Sequence, residues 1–208
     1  MISWDIDLLH RINREWTSPL LDYLMPAVSA IDAWIPFFAL VVIIAAIRGG
    51  NRARMMLLCI GVAVGLADGV VCKTLKSVVG RVRPYDAMAG VIVRDLAPGK
   101  PAVVRLFKAP VSKISKAPQD ENKRGKSFPS SHTANMFALA AVVSQFYRGW
   151  GIAAFVVASV VAYSRIYMGA HWPSDIPPSV GIGVLLGWIV VRGARAIVAK
   201  RPQRAAAQ

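Results

Sequence analysis

Apolar residues occur along this chain in long segments, and polar residues collect between them, a pattern typical of helices that cross a membrane. The backbone of such a segment must satisfy its hydrogen bonds internally, so we expect the segments to be helical. Six spans are predicted, at residues 20–31, 34–47, 55–80, 130–147, 151–168 and 176–199. The first is the weakest, because it is shorter than the ~20 residues that a bilayer requires. The predicted fold class is therefore all-α, a polytopic membrane helix bundle with six transmembrane helices.

The first 18 residues have a different pattern. Trp4, Leu8, Ile12 and Trp16 recur every four residues, and acidic residues stand where a signal peptide would have its uninterrupted apolar region. This pattern predicts an N-terminal amphipathic helix over residues 1–18 that lies on the membrane surface.

A polar segment at residues 85–128 separates the third and fourth spans, and it is rich in Lys, Pro and Ser without a clear periodicity. A connection of this length is usually functional or disordered. The sequence contains no internal repeat, and its length suits one domain. Residues 1–208 are therefore predicted to form a single transmembrane domain, with the long polar loop near its functional site.

Composition agrees with a membrane protein, because 55% of the 208 residues are hydrophobic, and the formal net charge is +14. Such a charge is compatible with nucleic acid, anionic lipid or a phosphorylated substrate. No RNA- or DNA-binding motif accompanies the basic residues, so we expect no nucleic-acid partner. The predicted partners are membrane lipids and a phosphorylated substrate, and the sequence leaves the oligomeric state open.

The basic residues are divided equally between the two faces of a six-span bundle, so their number alone does not give the orientation. On the face that holds the termini they lie in short loops and tails, where charge is the better topology signal. We therefore expect cytoplasmic termini in the plasma (inner) membrane. The long loop is then on the periplasmic or extracellular face.

The end of the third span carries the first charged cluster, in which Lys76 and Arg83 are seven residues apart. Two helical turns would place both side chains on nearly the same helix face. Pro84 disfavours helix at Arg83 and helps to end the span. A basic helix end anchored among lipid headgroups is the alternative interpretation.

The second cluster begins the fourth span. Pro129, Ser130 and Ser131 are typical of a helix start, which directs free N–H groups and a positive dipole end toward an anion. His132 would lie in the first turn, beside that anion. An ordinary serine cap beside an interfacial histidine is the alternative.

The third cluster follows the fifth span. Ser164 and Arg165 lie near the end of an apolar helix, His171 follows, and Asp175 precedes the next span. Ionisable residues within a span are costly and indicate function. Asp175 is close enough in sequence to hold one imidazole nitrogen of His171 and leave the other free as a nucleophile. A role of Asp175 as the cap of the next helix alone is the less favoured alternative.

The number of crossings brings these three clusters to one face of the membrane. The first two are joined by a loop that does not cross, and the third comes two crossings later. Two histidines, three cationic side chains and a carboxylate can therefore converge, which headgroup anchoring does not require.

The spacings Lys76-x6-Arg83-Pro84, Pro129-Ser130-Ser131-His132 and Ser164-Arg165-x5-His171-x3-Asp175 resemble the three signature motifs of the type 2 phosphatidic acid phosphatase superfamily, in the same order. The resemblance extends from about the third span to the start of the sixth. Ser131 stands where the second motif more often has glycine.

The resemblance implies a metal-independent phosphatase without a cofactor. It implies that His171 attacks phosphorus to give a phosphohistidine, that Asp175 orients the attacking ring, and that His132 protonates the leaving oxygen. It also implies that the phosphate is held by the following residues: Lys76, Arg83, Ser130, Ser131 and Arg165.

A lipid phosphate or diphosphate headgroup is favoured as substrate, because the site lies at the membrane surface. Undecaprenyl diphosphate and phosphatidylglycerophosphate are the preferred candidates, with a lipid A phosphate as an alternative. Other readings remain open: a lipid phosphotransferase, a soluble vanadium haloperoxidase, a zinc site at the histidines, and a non-enzymatic transporter or scaffold.

Overall fold

The computed structural model describes residues 3–116 and 125–205, with side chains through residue 200. The chain is mostly helical, because its long apolar segments satisfy their backbone hydrogen bonds internally. Nine α-helices, α1 to α9, occur in the described residues: Ser3–His10, Pro19–Ser29, Ile31–Arg48, Gly50–Leu66, Lys73–Val79, Pro84–Ala87, Ser131–Phe146, Arg148–Tyr167 and Ile176–Ala205. Two π-helical turns, Arg11–Glu15 and Ala67–Cys72, continue α1 and join α4 to α5.

Four stretches are long and apolar enough to cross a membrane: Ile31–Arg48, Gly50–Ala87, Arg148–Tyr167 and Pro173–Lys200. Their outer faces remain exposed in the isolated chain, as Val41 in α3 and Leu185 in α9 illustrate at 62% and 56% exposure. Side chains of this kind suit a lipid environment. The four stretches account for the second, third, fifth and sixth predicted spans.

Helix α7 lies at the centre of the bundle and packs against α4, α8 and α9. Small residues permit the close approach, since a Cβ added at Gly183 of α9 would come within 2.3 Å of the carbonyl oxygen of Ala134. Helix α7 leads from the end of the bundle that holds the second motif to the start of α8. It therefore also runs the length of the bundle, so that five helical segments of the described residues connect the two ends of the bundle.

The first predicted span is not among the stretches that are long and apolar enough to cross a membrane, so the prediction of six spans is not confirmed. Helix α2 has only 11 residues and packs against α8 and a two-stranded sheet that belongs to the polar loop. Asp22 accepts a 2.5 Å hydrogen bond from Tyr167 at the end of α8, and Tyr23 donates to the carbonyl of Leu106. These partners all lie on the side of the bundle where the motifs meet. Met25 and Ala27 of α2 are buried against protein, whereas Leu20 and Leu24 remain exposed.

The N-terminal segment also differs from the predicted amphipathic helix. Of the predicted stripe, Ile12 is buried and Leu8 is partly buried, but Trp4 and Trp16 are 49% and 52% exposed. The other buried positions are Asp5, Leu9 and Asn13. The π-turn after His10 shifts the helical phase, which a strict four-residue repeat does not anticipate. The helix is therefore held by specific polar contacts with the rest of the protein.

The predicted polar loop contains regular structure. Strands β1 (Ile92–Leu96) and β2 (Pro110–Ile114) pair antiparallel, with Arg94 opposite Ser112. A 3₁₀ turn, Ala102–Phe107, connects them. The buried guanidinium of Arg94 pairs with Asp22 at 2.6 Å, so the sheet is tied to α2. Only the part of this segment within the described residues can be compared, because residues 117–124 lie outside them.

The two ends of the described chain lie at opposite ends of the helical bundle. Helix α1 lies beside the motifs, whereas α9 leads away from them. That both termini share one face of the membrane stays a prediction.

Candidate active site

A cavity of about 510 Å³ contains residues from all three motifs. Both motif histidines border it, and α2, α3 and the π-turn between α4 and α5 contribute further walls. Its lining residues are Ser29, Ile31, Asp32, Asp68, Lys76, Arg83, Ser131, His132, Asn135 and His171. The sequence therefore folds so that two imidazoles and two cationic side chains face one space.

Lys76 and Arg83 reach this cavity by different routes. Helix α5 ends at Val79 because Gly80 adopts a left-handed conformation, with φ of 61°. Arg83 then lies in extended backbone before α6, and its guanidinium donates a 2.8 Å hydrogen bond to the hydroxyl of Tyr85. The predicted two-turn helical spacing of Lys76 and Arg83 was therefore wrong, although both side chains line the cavity.

The start of α7 carries Ser131 and His132 at the cavity wall. Lys76 donates a 2.5 Å hydrogen bond from Nζ to the Ser131 hydroxyl, which ties α5 to α7. The positive end of the α7 dipole and the Lys76 ammonium therefore act on the same region, a combination that favours a bound anion.

The side chain of Ser130 has a different role from that of Ser131. Its fully buried side chain accepts from the N–H of Thr133 and so caps α7. Its own N–H donates at 2.9 Å to the hydroxyl of Ser179, which in turn donates at 2.6 Å to the carbonyl of Asp175. Ser130 does not line the cavity. Its contacts join the second motif to the third.

His171 and Asp175 form a buried pair behind the cavity. Nδ1 of His171 lies 3.6 Å from Oδ2 of Asp175, which is longer than a direct hydrogen bond. Such distances often shorten when a catalytic site is occupied. The ring atom that faces the carboxylate is Nδ1, so Nε2 is the nitrogen available to a ligand. Asp175 itself has no exposed surface.

Burial also sets the protonation state of His171. Removal from water lowers the pKa of its imidazole to about 4, although the Asp175 carboxylate raises that pKa in part. His171 is therefore neutral near pH 7.

Arg81 contacts the third motif, although none of the three sequence motifs specifies it. Its guanidinium donates 2.5 Å hydrogen bonds to Oδ1 of Asp175 and to Oδ2 of Asp5, and it lies 5.4 Å from the centre of the Trp172 ring. Asp5 also accepts from the backbone N–H of Ser174 at 2.9 Å. Two buried carboxylates thus share one cation.

Further polar residues at the site come from outside the motifs. The Ser127 hydroxyl and the N–H of Trp172 donate to Oδ2 of Asp175. Asn135 lines the cavity, and its Oδ1 is buried without a hydrogen-bond partner in the described part of the chain. Position 135 is one turn after Ser131, so helical spacing from the second motif could have indicated it.

Arg165 is buried and stands behind the cavity wall. It donates to the hydroxyl of Ser29, which lines the cavity, and it lies 3.9 Å from the sulfur of Met168. Its Nε has no partner among the residues that the structure covers. Arg165 therefore reaches the cavity through Ser29 in this structure.

The described residues include no cluster of three His, Cys, Asp or Glu side chains that could hold a metal ion. The positive charges that face the cavity belong to Lys76 and Arg83. Two carboxylates also border it, and that of Asp32 is paired with Arg105 at 2.6 Å.

The sequence pattern of the PAP2 superfamily matches residues 54–198, well over half of the chain. The chain belongs to the PAP2 superfamily. The predicted relationship to type 2 phosphatidic acid phosphatases is thereby confirmed. This PAP2 protein is an integral membrane lipid phosphatase.

Several individual proteins are similar to this chain over most of its length. A lipid A 4'-phosphatase of Bacteroides thetaiotaomicron is 28% identical over 178 residues, which are 83% of this chain and 69% of that protein. The crystal structure of Aquifex aeolicus LpxE superposes with a TM-score of 0.65 at 23% identity, covering 92% of this chain and 96% of LpxE. A transmembrane PAP2-type phosphatidylglycerolphosphate phosphatase from Bacillus subtilis superposes with a TM-score of 0.60 at 23% identity, covering 94% of this chain and 86% of that protein.

Proposed function

We propose that this PAP2 protein hydrolyses a phosphate group from a membrane lipid through a phosphohistidine formed on His171. The observation that carries the proposal is the cavity shared by His132 and His171, with Lys76 and Arg83 on its walls. Two imidazoles in one cationic cavity can divide the work of nucleophile and proton donor.

The first step forms a bond between Nε2 of neutral His171 and phosphorus, and the bond from phosphorus to the leaving oxygen breaks. His132 gives a proton to that oxygen. The Asp175 carboxylate stabilises the positive charge that develops on the His171 ring. In the second step His132 removes a proton from water as its oxygen attacks phosphorus, which releases phosphate and restores neutral His171.

The charge of the transferring group is held by the cavity walls. Lys76, Arg83 and the start of α7 at Ser131 can donate to the phosphoryl oxygens, where negative charge must be stabilised throughout the transfer. The contact between Arg165 and Ser29 adds positive charge behind the wall. With these donors the chemistry has no step that calls for a metal ion.

We favour a phosphorylated glycolipid of the lipid A class as the substrate. The relative in Bacteroides thetaiotaomicron is a lipid A 4'-phosphatase, and its match covers 83% of this chain. Undecaprenyl diphosphate and phosphatidylglycerophosphate remain the competing substrates, because the motifs bind the phosphate and not the rest of the lipid.

We further propose that the cavity opens on the outer face of the plasma (inner) membrane. The opposite end of the bundle carries basic residues in the short loops and in α9, which favours a cytoplasmic location for that end. These residues are Arg48, Arg52, Arg54, Arg148, Arg192, Arg195 and Lys200. The C-terminal end of α9 is then cytoplasmic, and α1 lies outside beside the cavity.

The test is phosphate release by purified protein in excess chelator from the three lipid classes, each supplied alone. Wild type is expected to release phosphate from at least one of them, and His171→Ala is expected to release none. Full activity of folded His171→Ala would refute the phosphohistidine mechanism. Turnover that requires a second lipid as acceptor would identify a phosphotransferase instead.

A further inference from the structure

A second cavity of about 520 Å³ lies on the other side of Lys76. It shares Lys76 and Asp68 with the catalytic cavity and is otherwise formed by different residues. Its lining residues are Asp68, Gly69, Lys73, Lys76, Ser77, Gly80, Gly125 and Lys126. A group bound there would be separated from the catalytic cavity by the width of one or two side chains.

One face of α5 forms much of this second cavity. Lys73, Lys76, Ser77 and Gly80 follow the i, i+3, i+4, i+7 spacing of a single helical face. Lys73 is exposed, although it belongs to a stretch that is apolar enough to cross a membrane. A charged side chain at such a position is costly unless it meets water, an anion or the headgroup region.

The third lysine, Lys126, lies in a backbone segment that is hydrogen-bonded to residues just after α5. The N–H of Gly125 donates to the carbonyl of Gly80 at 3.0 Å, and the N–H of Ser127 donates to the carbonyl of Arg81 at 2.9 Å. A Cβ at Gly125 would come within 2.4 Å of the Cα of Val82, so the backbone at Gly125 lies directly against the backbone at Val82. Lys126 is therefore held beside the end of α5.

The charge of the cavity is unbalanced. Three ammonium groups face one carboxylate, that of Asp68, and within residues 3–116 and 125–205 none of the three forms an ion pair at 4.0 Å or less. Lys76 uses one N–H for Ser131, and an ammonium has three donors. Unpaired cations around a concave space favour an acidic ligand.

We propose that this second cavity binds a further acidic group, a phosphate above all, of the same lipid whose scissile phosphate occupies the catalytic cavity. The proposal rests on the proposed function. The preferred substrate is then a lipid with two acidic groups, one for each cavity, and Lys76 contacts both. Lys73 and Lys126 act on substrate preference without touching the reacting phosphorus.

The test compares a glycolipid that carries two phosphates with the same glycolipid after removal of the phosphate that is not hydrolysed, in identical micelles. Wild type is expected to show a kcat/KM at least about tenfold higher for the diphosphorylated lipid, since each lost charge-assisted contact is worth that much. The Lys73→Ala and Lys126→Ala variants are expected to reduce this ratio, and the double variant to bring it near one. Lys113→Ala, at an exposed position of β2, is the matched control and should keep the wild-type ratio.

The outcomes separate this proposal from the proposed function. No phosphate release from either lipid by wild type would refute the proposed function itself. Equal turnover of the two lipids by wild type, or equal losses on both lipids in the lysine variants, would refute the second binding site alone. If inorganic phosphate inhibits the double variant less strongly than wild type while lipid preference is absent, the cavity binds free phosphate and the proposal for the lipid fails.

Discussion

The carboxylate of Asp175 is fixed from several directions. Arg81 donates to Oδ1, while Ser127 and the N–H of Trp172 donate to Oδ2. A buried charge needs partners of this kind to offset its loss of water. The carboxylate is therefore in position before a substrate arrives, and the His171 ring needs only to approach it.

Asp175→Asn is expected to reduce kcat by at least about a hundredfold and leave weak residual activity, because an amide supplies no negative charge to the His171 ring. It also cannot accept from Arg81 and Ser127 in the same way. Steady-state kinetics on micellar lipid would measure the effect, with the melting temperature as a control for folding. A kcat within a fewfold of wild type would contradict the role of the carboxylate.

The pH profile should report the burial of His171. Burial holds the pKa of its imidazole at about 4, so the ring stays neutral and nucleophilic as pH falls from 8 to 5 and becomes protonated only below that. With an ordinary pKa near 6.5, the neutral fraction would already be small at pH 5. The measurement is kcat/KM against pH, corrected for ionisation of the substrate phosphate. An enzyme group that titrates near 6.5 and abolishes activity at pH 5 would be inconsistent with this assignment.

At the scale of elements, the sequence predicts the helices that carry the motifs. The predicted fourth span, residues 130–147, and fifth span, residues 151–168, correspond to α7 and α8 within a few residues. The reasons are local: a long apolar run and serine cap signals at the helix start. The residues of each motif are also close together in sequence, so their spacing predicts the site residues from local information.

Other elements depend on distant partners and could not be predicted. The sequence predicts a membrane span at α2, because the apolar face of this helix is indistinguishable in sequence from a lipid-facing one. The β1 and β2 strands lack strong alternation, and their pairing covers α2 instead of a core of their own. Arg81 meets Asp5 and Asp175 across separations of 76 and 94 residues, which no local pattern encodes.

Helix α1 is expected to influence catalysis through Asp5. The change Asp5→Asn removes one of the two carboxylates bound to Arg81, which lets that guanidinium shift relative to Asp175. We expect kcat to fall by roughly tenfold with little change in KM, because the substrate does not contact Asp5.

Asp7→Asn is the matched control, since Asp7 is exposed on the same helix. Asp5→Glu should restore part of the lost kcat. Equal effects of the Asp5 and Asp7 changes, or a loss confined to protein stability, would show that α1 does not position the carboxylate.

The described residues form a helical bundle with its polar elements gathered at one end. Helices α1 and α2 and the two-stranded sheet cover the end where both cavities open, and the other end consists of short basic turns. The asymmetry explains the uneven placement of charge in the sequence. We expect the described ends of the chain to lie on opposite sides of the membrane, because five helical segments separate them.

Single cysteines can test this topology after Cys59 and Cys72 are replaced by alanine. We expect Glu15→Cys to react with a membrane-impermeant maleimide in intact spheroplasts, and Lys200→Cys to react only after permeabilisation. Both positions are exposed, so reagent access is limited by the membrane alone. Reaction of both cysteines under the same condition would show that positions 15 and 200 lie on the same side of the membrane, which requires an even number of crossings between them.

The link from Asp5 to the third motif has a consequence for biogenesis. Ser174 and Asp5 are 169 residues apart, so α1 receives this partner only after the third motif has been synthesised. On the proposed mechanism, an unfinished chain has no oriented nucleophile and cannot attack the lipids around the translocon. The orientation of His171 therefore depends on a contact that is available only late in synthesis of the described chain.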